Sequence, residues 1–85
     1  MEEKKLSITF SAYREIEVIP RSLQECIGRA IIALAADPHP SNSKPLEGID
    51  RCYSAWVDDY YVLYQLDEDA LTILGVLHGA YHLVH

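Results

Sequence analysis

Between Cys52 and His78 the chain reads as three apolar ribbons, CYSAWV, YYVLYQL and LTILGVLH, parted only by Asp58-Asp59 and by Asp67-Glu68-Asp69-Ala70. β-Branched, aromatic and leucine residues dominate each run, which predicts strands over residues 51–57, 60–66 and 71–78. Connections this short join only antiparallel neighbours, so the three form a meander. Asp58-Asp59 lacks the glycine that a primed two-residue turn prefers, so a bulge or a longer loop is expected there. Tyr60, Val62, Tyr64 and Leu66 fall on one side of the middle strand, Tyr61 and Leu63 on the other. Apolar side chains on both sides predict that the second face is covered at least in part.

Everything upstream reads as cover for these ribbons. Leu6, Ile8 and Phe10 alternate with Lys5, Ser7 and Thr9, the pattern of a half-buried first strand. Tyr13, Ile16 and Ile19 are spaced for a short helix, although Ile16 and Val18 also alternate as in a strand. Ile19-Pro20 closes the segment either way, because a residue before proline is steered away from helical backbone. From Pro20 to Ala36 the periodicity is plain: Leu23, Cys26, Ile27, Ala30, Ile31 and Leu34 make one helical stripe, and Asp37-Pro38 ends it. Pro20 stands where a helix tolerates proline, in its first turn. Residues 39–51 carry the breakers of a loop, with Leu46 and Ile49 expected to anchor it onto the core. From Gly79, where the last strand is expected to bulge or end, a seven-residue tail carries Leu83 and Val84 as groups that could pack back.

Eighty-five residues with 49 % hydrophobic and 24 % charged positions describe one soluble domain spanning residues 1–85. No apolar run is long enough for a membrane span and no signal core follows the first five residues, so a cytoplasmic location without membrane contact is expected. Cys26 and Cys52 have neither metal-ligand nor CxxC spacing, and buried free thiols are the ordinary reading. The charge is unevenly shared. All seven Lys and Arg lie in residues 1–51, whereas residues 52–85 hold five acids and no cation. Nucleic-acid binders draw affinity from cations on phosphate, so an acidic sheet disfavours RNA or ribosome contact without excluding it.

Strand, short helix, long helix, proline-rich loop and meander, in that order, resemble the RelE/ParE superfamily of toxins from bacterial type II toxin–antitoxin pairs. The most specific pieces are Ile31-Ile32-Ala33-Leu34-Ala35-Ala36-Asp37-Pro38, Lys44-Pro45-Leu46-Glu47-Gly48, Cys52-Tyr53, and the run from Asp59 to Asp67. The resemblance implies an α+β domain. An antiparallel sheet, built from the N-terminal strand and the C-terminal three-stranded meander, packs against an N-terminal helical pair. It also implies a cognate antitoxin that binds the toxin as an oligomer, and no cofactor. As activity it implies a metal-independent endoribonuclease acting on messenger RNA and inhibiting translation. The alternatives are a ParE-like poison of DNA gyrase and a catalytically weakened binding module.

This chain departs from the family where its chemistry should be. Members typically place basic residues on the first meander strand and an arginine after the tyrosine that opens the next; here those positions hold Ser54, Trp56 and Tyr61. Metal-free RNA cleavage needs a base for the 2′-hydroxyl proton, an acid for the leaving oxygen and a donor for the phosphate charge. Histidine suits either proton-transfer role near neutral pH. Some members of the family use a C-terminal histidine or tyrosine in this way. The resemblance thus implies His78, Tyr81, His82 and His85 as the catalytic candidates, with Arg51 as the donor and Glu47, Asp58 or Asp59 able to orient or replace one of them. Lys44, Trp56 and Tyr61 are the candidates for holding substrate. The bland counterparts are a polar strand terminus for His78, a frayed tail for the later residues, and cross-strand packing for the tyrosines. The histidines lack the spacing of a metal site in an extended segment, so no metal is expected.

Overall fold

The structure, a computed structural model, describes residues 4–79. Its elements run β1 (Lys5–Ile8), α1 (Phe10–Glu17), α2 (Arg21–Ala36), β2 (Ser43–Pro45), β3 (Cys52–Val57), β4 (Tyr60–Leu66) and β5 (Ala70–His78). They form one five-stranded sheet in the order β1-β5-β4-β3-β2. The meander is as expected, antiparallel from β3 to β5. Two features were not legible in the pattern. β1 pairs with β5 in parallel, because the two helices return the chain to the far side of the sheet. Ser43–Pro45 in the proline-rich loop adds an antiparallel edge strand to β3.

The helices start and stop where local hydrogen bonding dictates. Thr9 caps α1, its Oγ1 accepting from the Ala12 amide at 3.1 Å, so the helix begins at Phe10 and not near Tyr13. Phe10 therefore leaves the strand, and it is 74 % exposed. Leu6 and Ile8 pair with the core-facing Leu71 and Ile73, yet they stand on an edge strand and stay exposed. Pro20 precedes α2 without a side-chain cap; instead the Gln24 Nε2 donates to the Ile19 carbonyl at 2.8 Å and ties the two helices together. Of the expected stripe, Ile27, Ile31 and Leu34 are buried and Leu23 and Ala30 half-buried. Cys26 is exposed, contrary to expectation, at the rim of the stripe where its Sγ lies 3.7 Å from Asp58 Oδ2. Cys52 is buried.

Both helices feed one cluster with the inner face of the sheet: Ala12, Ile27, Ile31 and Leu34 against Val57, Val62, Tyr64, Leu71, Ile73 and Val76. Leu46 is half-buried, but Ile49 is exposed and does not anchor the loop. The turn at Asp58-Asp59 has only two residues, made possible by Asp58 adopting φ 55°, a left-handed conformation that Asp tolerates better than most side chains. The expected irregularity lies elsewhere. Leu63 pairs with Gly75 and Tyr64 with Ile73, which leaves Leu74 as the extra residue of a bulge in β5. Thr9 uses that bulge, its Oγ1 donating to the Leu74 carbonyl at 3.3 Å. Beyond the end of β1, the Glu15 carboxylate accepts from the Val76 amide at 2.8 Å and satisfies an edge that no strand covers.

Tyr64 is fully buried and donates its hydroxyl to the Pro38 carbonyl at 2.8 Å, pinning the start of the loop to the core. Burial pushes this hydroxyl above its ordinary value of 10.0; Tyr53 and Asp37 act in the same direction, and a hydrogen bond with Ser43 opposes them. A group with a raised folded value contributes its stability below the unfolded value, and that contribution is lost as pH rises through the folded one. Tyr64→Phe should therefore cost about 1 kcal/mol at neutral pH, with the wild-type advantage shrinking above about pH 10 in urea titrations. In the same assay Ile27→Ala should cost about 2–5 kcal/mol. Ile32→Ala, on the exposed side of α2, should stay within about 0.5 kcal/mol.

Candidate functional site

Side chains alternate across a strand, so the residues between the core-facing ones define a second face. On β3 these are Cys52, Ser54 and Trp56; their register partners on β4 are Gln65, Leu63 and Tyr61. None of the three strands of the meander carries an acidic residue. All five acids of residues 52–85 sit in the two connections, Asp58-Asp59 and Asp67-Glu68-Asp69. The sheet itself is thus not acidic, which corrects the expectation drawn from the charge count. The second connection is also countered locally: Arg51 Nη1 lies 3.3 Å from Asp67 Oδ1, and the Lys4 ammonium donates to the carbonyls of Asp67 and Glu68 at 2.9 Å each.

On this face Lys44, Ser54, Trp56 and Tyr61 line a notch of about 180 Å³ together with Asn42. Register explains the grouping, since Lys44 pairs with Ser54 across β2–β3 and Trp56 pairs with Tyr61 across β3–β4. The Trp56 and Tyr61 rings meet edge to face, with centroids 4.3 Å apart and planes at 85°. They make a right-angled aromatic corner, with the indole 41 % exposed. Asn42 clamps the strand edge behind it: its carbonyl accepts from the Trp56 amide at 3.0 Å and its Nδ2 donates to the Trp56 carbonyl at 2.6 Å. In the sequence Asn42 reads only as a loop breaker, and no local signal sets it apart, because the edge strand it precedes exists only through its pairing with β3. The last described residue, Gly79, lies under the indole. A Cβ there would meet Trp56 Cη2 and the Asp59 carbonyl oxygen at 3.0 Å, so the chain leaves the described part at the edge of the notch.

The three substrate-holding candidates, Lys44, Trp56 and Tyr61, are therefore brought together. Of the catalytic candidates, the two among the described residues, His78 and Arg51, stand apart from the notch and from each other. His78 pairs with Tyr60 and meets its ring at 5.1 Å on the core side of the sheet, beside Glu15, Val18 and Ile19. Arg51 sits at φ 61° at the opposite end of β3, engaged with Asp67. Glu47 is exposed in the loop, and Asp58 and Asp59 occupy the turn. Tyr81, His82 and His85 lie outside the described residues. Tyr53 and Tyr64 stack at 5.7 Å on the core side, which is packing. Among the described residues no group of three or more His, Cys, Asp or Glu is placed to hold a metal ion, and no helix is long and apolar enough to cross a membrane.

An α+β domain with two N-terminal helices and a mostly antiparallel five-stranded sheet has the architecture of RelE-like toxins. A sequence model described as the ParE toxin of the type II toxin–antitoxin system parDE matches residues 7–82. The chain belongs to this RelE/ParE family of type II toxins. The fold is similar to that in the RelBE2 toxin–antitoxin complex from Mycobacterium tuberculosis, with a TM-score of 0.80, 23 % identity, and 91 % of this chain and 99 % of that one covered. The archaeal RelE–RelB complex from Pyrococcus horikoshii gives 0.81 at 19 % identity, covering 92 % and 97 %. A mutant of the E. coli toxin RelE in the free state gives 0.79 at 17 % identity, covering 98 % and 90 %. No curated protein sequence matches the chain.

Because Gly79 is held between the indole and a backbone carbonyl, Gly79→Ala should displace one of them and cost about 1–3 kcal/mol. Trp56 is the single tryptophan of the chain, so a shift in its emission maximum, measured with the denaturation midpoint, reports the displacement directly.

Proposed function

We propose that this toxin inhibits translation as an endoribonuclease and that its outer-face notch holds messenger RNA. The observation that carries the reading is the convergence of Lys44, Trp56 and Tyr61 on a face free of acids. Aromatic planes receive unpaired bases and a lysine receives phosphate, whereas an acidic sheet would have repelled the strand. Proton transfer is assigned to the tail that starts under Trp56, with Tyr81, His82 and His85 as the groups able to serve as base and acid. The reaction needs no metal ion in this reading, since the 2′-hydroxyl is the nucleophile and the side chains move the protons.

A second reading rests on a different feature of the same face. Ser54, Trp56 and Tyr61 stand where RelE-like relatives are expected to carry cations, and an uncharged aromatic surface suits a protein target, as in a ParE-like poison of DNA gyrase. In both readings a cognate antitoxin neutralises the toxin in the cytoplasm. Structures similar to this one include the intact RelBE toxin–antitoxin complex of E. coli. Phe10, Tyr13, Val18 and Ile32 are large apolar side chains left exposed on the helices, and they offer a partner its apolar contact.

Induction of the toxin alone in a bacterial host, followed by mapping of RNA ends, separates the readings. Growth arrest with new ends inside messenger RNA is expected, and His82→Ala with His85→Ala should abolish both. Arrest with intact RNA and blocked supercoiling by purified gyrase would replace the first reading with the second.

A further inference from the structure

We infer that the notch is a single-nucleotide site that binds by stacking in place of charge, with a nucleoside monophosphate as its smallest ligand. The inference rests on the RNA reading above and specifies how the strand is gripped. Two rings set at 85° with centroids 4.3 Å apart leave a corner in which a flat heterocycle lies on one ring and abuts the other. Lys44 is the one charged side chain lining the notch, so the charge favoured there is negative and single, matching one phosphate. Asn42 has its Nδ2 committed to the Trp56 carbonyl, which fixes the amide at the notch wall and leaves its side-chain oxygen as an acceptor for a base amino group. A volume of about 180 Å³ suits one base and no more. The remaining wall, Ser54, is buried.

This arrangement divides affinity between ring and charge in a way that can be read out separately. Stacking on one aromatic side chain is worth roughly 5- to 150-fold in affinity, whereas an exposed ion pair is worth up to about fivefold. The rings, not the lysine, should dominate.

Trp56 is the only tryptophan and forms one wall, so its fluorescence reports this site alone. Full-length protein is titrated with AMP, GMP, CMP and UMP, with ribose 5-phosphate and inorganic phosphate as ring-free probes. Saturable quenching by nucleotides in the millimolar range is expected, and none by the two ring-free probes. Tyr61→Ala should weaken the nucleotides roughly 5- to 150-fold and Tyr61→Phe should restore them, while Lys44→Ala costs at most about fivefold. Circular dichroism checks that each variant is folded, and Tyr61→Phe serves if Tyr61→Ala is not. Absence of quenching by all four nucleotides, or equal quenching by inorganic phosphate, overturns the site. Nucleotide binding with uncut RNA on induction would leave the site standing and remove the ribonuclease reading; cut RNA without nucleotide binding would do the reverse.

Discussion

The whole molecule depends on the burial of one sheet face beneath α1 and α2. Ile27, Ile31 and Leu34 meet Val62, Tyr64, Leu71 and Ile73 in a single cluster, and fully burying such side chains is worth about 1.5–3 kcal/mol each. That contact sets the parity of every strand. With Val62 and Tyr64 turned inward, Tyr61 must turn outward, and its register partner Trp56 with it. A one-residue slip would exchange the two faces, so the core and the notch are specified by the same hydrophobic pattern.

The same parity accounts for the electrostatics. A chain with net charge −6 would be a poor host for an anionic ligand if its acids were spread over the sheet. They are gathered into two connections, and one of those is held by Arg51 and Lys4. The outer face of the meander is left without acids, with Lys44 as the charge at its notch. Counting charge along a segment misjudged the face because turns and strands contribute to the count equally but stand in different places.

Most of the fold was legible because its signals are periodic. The helix over residues 21–36, the three meander strands and the two short connections follow from spacing and β-propensity alone. What escaped depends on contacts between distant residues. Nothing local to residues 5–8 says that β1 runs parallel to β5, and nothing in Ser43-Lys44-Pro45 announces a strand without β3 beside it. Thr9 looked like the polar side of a strand, but its hydroxyl caps a helix and grips a bulge. The site was legible in part. Lys44, Trp56 and Tyr61 were singled out by family position and residue type, and they converge; Asn42 was not, because its role is a backbone clamp that only the folded register reveals. His78 was grouped with the tail by sequence proximity, yet strand parity puts it on the core side beside Tyr60.

The proposed grip on the target is aromatic stacking with one charge in support, on a RelE-like face without the cations expected of its relatives. It is tested most directly by the salt dependence of binding to a short single-stranded RNA. A strand held by the rings, with Lys44 as its single phosphate contact, should give a slope of about −0.7 in log K against log salt, flattening towards zero in Lys44→Ala. A slope of about −3 or steeper would mean that several cations engage the strand and that charge, not stacking, holds it.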